Sequence, residues 1–181
     1  MRTDPKSFLP DLEERAKHFD GNVLTMPGAD GGEFTQEGPL AVKDAIEYLK
    51  KAKPVHPLRW SVGIAKACED HVKDMGSRGL QSHEGSDGST FMQRLERYGK
   101  PSGEQGENIA YGQASGKLVV LQLLIDDGVE LREHRKNMFS TEFNFTGNFS
   151  GAHEDVETMT VMDYAGSFEA PERLAIMPAP A

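Results

Sequence analysis

Residues 143–164 read FNFTGNFSGAHEDVETMTVMDY. Two runs within this stretch, Phe143 to Phe149 and Glu157 to Tyr164, alternate apolar with polar side chains, and GAHED lies between them. That pattern predicts two antiparallel strands joined as a hairpin. Upstream the period changes. Pro39 can open a helix, since the first helical position needs no N–H, and Val42, Ala45, Ile46 and Leu49 follow at helical spacing up to Lys53, with Pro54 as the stop. Ser61 is the expected N-cap of a second helix with the apolar stripe Val62, Ala65, Cys68, Val72 and Met75, closing at Gly76 and Gly79. Phe91, Leu95 and Tyr98 predict a short third helix that ends at Gly99. The segment SHEGSDGS before it is too rich in Gly, Ser and Asp for the interior of an element. After a loop expected over Lys100 to Gly106, ENIAY reads as extended, and LVVLQLLIDD as a buried helix stopped by Gly128. Helices first and strands last argue for an α+β layered domain rather than an alternating parallel sheet.

The chain has 181 residues, a length that suits one domain of about 100–200 residues. Residues 39–168 are expected to form that domain. Residues 1–38, broken by Pro27, Gly28, Gly31 and Gly32, read as an arm outside the core, and residues 169–181 as a peripheral tail. The arm carries Phe8, Leu9, Leu12, Phe19 and Phe34, so docking on a protein partner is expected to order it. Twenty Lys and Arg against 29 Asp and Glu leave a net charge of −9, which repels a phosphate backbone and makes nucleic acid a poor partner. One cysteine, Cys68, excludes an internal disulfide and a Cys-based zinc finger, and its place in a helical stripe marks it as core. No apolar run near Met1 resembles the core of a signal peptide, and the most apolar window, Leu118 to Ile125, is far shorter than the roughly 20 residues of a membrane span. The expected location is cytoplasmic or cytoskeleton-associated, with secretion after removal of a signal as the alternative.

Several familiar chemistries are missing. GQASGK, residues 112–117, departs from the phosphate-binding loop in its glycine spacing and in Leu118; neither His83 nor His134 has the second histidine of an HExxH helix; and no serine sits in GxSxG. His83 in the Gly/Ser segment, Glu107 before the ENIAY strand and His134 in LREHRKNMF remain as polar groups at element ends. His18, His56, His71 and His153 read as solvated or simply hydrogen-bonded. Asp126 and Asp127 are odder, because they close an apolar helix at the end that carries partial negative charge. A cation is needed there, whether Arg132, Arg135, a protonated histidine or a metal.

Taken together, His83, GENIAYG at 106–112, the apolar helix ending in DDGV and EHRKNMF before a strand containing Gly147 resemble the CAP superfamily of cysteine-rich secretory proteins, antigen 5 and pathogenesis-related 1 proteins. The resemblance runs from about Pro39 to Phe168 and implies a three-layer α-β-α sandwich with a mostly antiparallel central sheet. It also implies a cleft in which His83, Glu107, Asp126 and His134 hold a divalent cation, zinc first, with Asn108, Asp127 and Arg135 lining it. Asp126 stands where the family usually has Glu, and Glu133 where Gly is common; the missing cysteines place the chain in a disulfide-free branch. With no serine or cysteine nucleophile beside the cluster, the expected function is a non-enzymatic binding module within a protein assembly, with a small amphipathic ligand as a further candidate. A metal-dependent hydrolase and a scaffold with a vestigial cleft are the alternatives.

Overall fold

The helices are α1 (Leu9–Arg15), α2 (Pro39–Lys51), α3 (Val62–Gly76), α4 (Phe91–Glu96), α5 (Gly116–Ile125), α6 (Glu133–Phe139) and α7 (Glu172–Ala175). The strands are β1 (Phe19–Asp20), β2 (Val23–Leu24), β3 (Glu33–Phe34), β4 (Arg59–Trp60), β5 (Lys100–Tyr111), β6 (Phe145–His153) and β7 (Glu157–Glu169). They come from a computed structural model that describes residues 1–175. Contacts divide the chain into two units, one made of Met1–His56 and Val120–Phe139, the other of Pro57–Val119 and the residues from Ser140 on.

In the second unit the hairpin predicted from residues 143–164 is present, and it lies at the centre of a four-stranded sheet ordered β4-β6-β7-β5. β7 pairs antiparallel with both β6 and β5, and only the two-residue β4 runs parallel to its neighbour. The α+β class and the mostly antiparallel sheet are therefore as expected. β5 is longer than its sequence suggests, because Lys100 to Gly106, read as a loop, pairs with β7 across a register shift between Ser102 and Gln105. Gly103, at φ +73°, adopts the left-handed backbone there that glycine accepts at little cost.

α3 covers this sheet. Ser61 caps it by accepting the Ile64 N–H, and Ile64, Ala67, Cys68, Val72 and Met75 are buried with Met159, Val161 and Ala165 of β7. The helix approaches β6 so closely that a Cβ on Gly147 would lie 2.8 Å from the carbonyl carbon of Ile64 and 2.9 Å from Cα of Ala65. Cys68 is wholly buried, its Sγ donating to the Gly147 carbonyl at 3.4 Å, and burial pushes its thiol well above the ordinary range. Leu174 of α7, inside the tail expected to be peripheral, is also buried; residues 176–181 lie outside the described residues.

In the first unit the expectation of a separate arm fails. Leu12 of α1 and Leu24 of β2 are 0% and 3% exposed, and α1 packs on α2, whose Ala41, Val42, Ala45, Ile46 and Leu49 are buried. The Pro- and Gly-rich stretch folds back as the small antiparallel sheet β1-β2-β3. Among the described residues no helix is long and apolar enough to cross a membrane.

Candidate functional site

The two aspartates that close α5 find their hydrogen-bond partners in the first unit. Asp126 takes φ 59°, which turns its side chain away from the carbonyl end of α5 and toward the start of α6. There Oδ1 meets His134 Nδ1 at 2.6 Å and Oδ2 accepts the Arg135 N–H at 3.1 Å. A carboxylate disfavoured at one helix end thus serves the opposite end of the next helix. The C-terminus of α5 is satisfied by Arg135, which is 3% exposed and donates to the Leu124 and Ile125 carbonyls at 2.6 and 3.0 Å and to Asp44 at 2.8 Å. Asp127 accepts the Gln36 and Glu37 N–H groups at 2.7 and 2.9 Å, so it anchors the chain entering α2. Arg135 and Asp127, both expected to line a cleft, are thus hydrogen-bonded within their own unit.

Arg132 completes this network by gripping both oxygens of Glu37, each at 2.6 Å. The Arg132 hydrogen bonds bring the Glu37 carboxyl from its ordinary 4.5 down to about 2, against a smaller opposing effect of burial. A depressed carboxyl stabilises the fold above its unfolded pKa and loses that contribution as pH falls through the folded value. Glu37→Gln is therefore expected to cost about 1–2 kcal/mol at neutral pH, discounted for partial exposure, and the gap from wild type is expected to close between about pH 4.5 and 2. Urea titrations at several pH values read this directly, and a gap that stays constant down to the acid end would contradict it.

A second histidine–carboxylate pair is built in the second unit. His83 Nδ1 meets Glu107 Oε1 at 2.7 Å, while Glu107 Oε2 accepts from Arg94 Nη2 at 2.7 Å. The Glu107 and Arg94 side chains are 1% and 2% exposed. Burial alone would raise the Glu107 carboxyl, but the His83 hydrogen bond and the Arg94 charge outweigh it and hold it low. Directly opposite Glu107 on β7 stands Asp163, wholly buried, with no hydrogen-bond partner for either carboxyl oxygen. Burial first, and the Glu107 charge second, keep it protonated far above the ordinary carboxyl range. Asn108, the next residue of β5, is fully buried and donates to the Tyr164 hydroxyl at 3.2 Å, a core contact rather than a cleft wall.

The segment that carries His83 is held from two sides. His71 Nε2 reaches the Ser82 carbonyl at 2.9 Å and His153 Nε2 the Leu80 carbonyl at 3.0 Å, the hydrogen-bonded roles expected for both. Arg94 adds a bond to the His83 carbonyl at 3.1 Å. The sequence reading missed Arg94 and Asp163, yet both leave a signal. Arg94 falls on the stripe of Phe91, Leu95 and Tyr98, and Asp163 on the inward face of β7 with Met159, Val161 and Ala165. A charged residue inside an apolar period calls for a buried partner.

Residues 43–164 match the family described as CAP, the cysteine-rich secretory protein family. The chain belongs to the CAP family. Among solved structures it is similar to an outer surface protein from Borrelia burgdorferi, with a TM-score of 0.53 and 19% identity over 71% of this chain and 89% of that one. An extracellular protein containing a SCP domain from Bacillus anthracis str. Ames aligns with a TM-score of 0.48 and 24% identity over 68% of this chain and 38% of that one. No curated protein matches. Of the four metal ligands that membership in the CAP family suggests, the structure forms two pairs, His83 with Glu107 and Asp126 with His134. Among the described residues no group of three or more His, Cys, Asp and Glu side chains is gathered as a metal site.

Proposed function

We propose that this CAP-family chain is a binding module, without turnover, that takes up divalent cations at two carboxylate-held imidazoles, His83 in the second unit and His134 in the first. The observation that carries the reading is the repeated construction of the two pairs, in which each imidazole is held at Nδ1 by a carboxylate whose side chain is 1% exposed. Histidines that ligate metals are oriented in this way, with the carboxylate fixing the ring so that Nε2 is presented to the ion. Imidazole nitrogen suits zinc, which makes zinc the first candidate. Glu107 and Asp126 act here as holders of the rings rather than as ligands. That assignment also favours binding over hydrolysis: both oxygens of each carboxylate are engaged, and a Glu107 carboxyl held low is a weak general base.

Zinc titration of the metal-stripped chain by calorimetry tests this reading. Zinc uptake is expected, with His83→Ala and His134→Ala each removing the part carried by its own imidazole. Since imidazole binds metal only when neutral, affinity is expected to weaken as the solution is acidified. Zinc binding that survives both substitutions, or none in the wild type near neutral pH, would overturn the proposal.

A further inference from the structure

A glycine that follows an aspartate lets the backbone react with the side chain, because a residue without Cβ leaves its own nitrogen unshielded. That nitrogen attacks the aspartyl Cγ, one water leaves with the Gly hydrogen and the carboxyl hydroxyl, and a five-membered imide forms. Water then reopens the ring at either carbonyl. Opening at the former side-chain carbonyl restores aspartate. Opening at the former main-chain carbonyl leaves the chain running through Cβ and Cγ, an isoaspartyl residue of unchanged composition. Two conditions must hold: a nitrogen free to swing onto Cγ, and a carboxyl that can take up the proton it loses with the departing water. The chain has four such pairs, Asp20-Gly21, Asp30-Gly31, Asp87-Gly88 and Asp127-Gly128.

The fold blocks three of them. Asp127 has both oxygens on the Gln36 and Glu37 N–H groups, and the Gly128 N–H donates to Glu37 Oε1 at 2.8 Å. Asp87 accepts from the Ser89 N–H at 2.9 Å and from Arg97 Nη2 at 3.0 Å, while the Gly88 N–H donates to the Gly85 carbonyl at 2.9 Å. Its hydrogen bonds from Ser89 bring that carboxyl from 3.8 down to about 2, so it stays ionised. Asp20 closes the β1-β2 pairing opposite Val23, and its backbone cannot carry Gly21 onto Cγ without parting the two strands.

Asp30-Gly31 has none of these restraints. The pair lies between β2 and β3, outside any helix or strand, and both residues are exposed. Among the described residues the Asp30 carboxyl has no hydrogen bond or ion pair, and the Gly31 N–H has no backbone acceptor. A Cβ on Gly31 would meet nothing within 4 Å, whereas one on Gly32 would run into the Val23 side chain, so the chain is open at this pair and confined again one residue later. We propose that Asp30 is a modification site, at which spontaneous cyclisation with Gly31 converts aspartate to isoaspartate in the folded protein. The product adds one main-chain carbon to the connection between β2 and β3, at an exposed loop of the kind that tolerates such a change.

The test incubates the full, metal-free chain for weeks at mildly acidic pH and body temperature, beside a sample unfolded in urea. Peptides carrying each pair are then fragmented by electron transfer, which cleaves the isoaspartyl Cα–Cβ bond and so locates the isomer. In the folded chain isoaspartate is expected to accumulate at Asp30 several-fold faster than at Asp20, Asp87 or Asp127, and in urea at comparable rates at all four. Gly31→Val, which sets a branched side chain into open space beside the nitrogen, is expected to remove the Asp30 signal. The proposal is overturned if Asp30 stays unmodified in the folded chain, or if Asp87 or Asp127 isomerises there as fast. A folded valine variant that reacts like wild type would also overturn it. The wild-type comparison decides even where that variant does not fold, and its outcome is independent of zinc binding.

Discussion

Glu107→Ala is expected to lower the thermal midpoint by roughly 6–20 °C, the equivalent of about 3–5 kcal/mol in a chain of this size. The cause is the Arg94 guanidinium. It is 1% exposed, its charge is compensated by Glu107 Oε2 at 2.7 Å, and its remaining bonds go to the Ser89 and His83 carbonyls. Deleting the carboxylate leaves a buried cation with backbone dipoles alone. Asp163 stands across the sheet but is kept protonated, and ionising it instead would require burying another bare carboxylate. The double variant Glu107→Leu with Arg94→Met, which removes both charges, is expected to melt above Glu107→Ala, because a missing pair costs less than half a pair. Circular dichroism melts of the three proteins settle the point; a midpoint for Glu107→Ala within about 2 °C of wild type would show that the pair is not buried in solution.

The second large effect is expected at Gly147. A methyl group there meets backbone atoms of Ile64 and Ala65, at 2.8 and 2.9 Å for the two carbons already noted, and backbone cannot swing aside as a side chain tip would. Overpacking of a core costs about 1–3 kcal/mol, and with a helix axis to be displaced Gly147→Ala belongs at the upper end, a fall of roughly 6–12 °C. Gly116→Ala is the control, since nothing lies within 4 Å of a Cβ at the start of α5. If both variants melt together, α3 does not press on β6 as described.

The elements that could be read from sequence are those whose apolar period faces a core. α3 was legible from Ser61 and its stripe, and the β6–β7 hairpin from its alternation. The first half of β5 was not, because KPSGEQG is largely exposed at a sheet edge and owes its extension to backbone pairing with β7 rather than to side-chain burial. Residues 1–38 misled for a related reason. Their many glycines and prolines signal turns, but nothing local tells that Leu12 packs within the unit of α2. The carboxylates at the end of α5 were recognised as anomalous, and the resolution is conformational: φ 59° at Asp126 moves the charge from one helix end to another, a choice invisible in the residue's identity.

Cys68 gives the second unit a clock. It is the chain's single thiol, it is sealed between α3 and the Gly147 carbonyl of β6, and burial suppresses its thiolate. A thiol reagent can therefore reach it only in molecules where the helix has parted from the sheet, so the rate of modification in dilute reagent counts opening events one by one. No label or engineered reporter is required, and the same reaction run on the Gly147→Ala and Glu107→Ala proteins separates substitutions that speed opening from those that leave it alone.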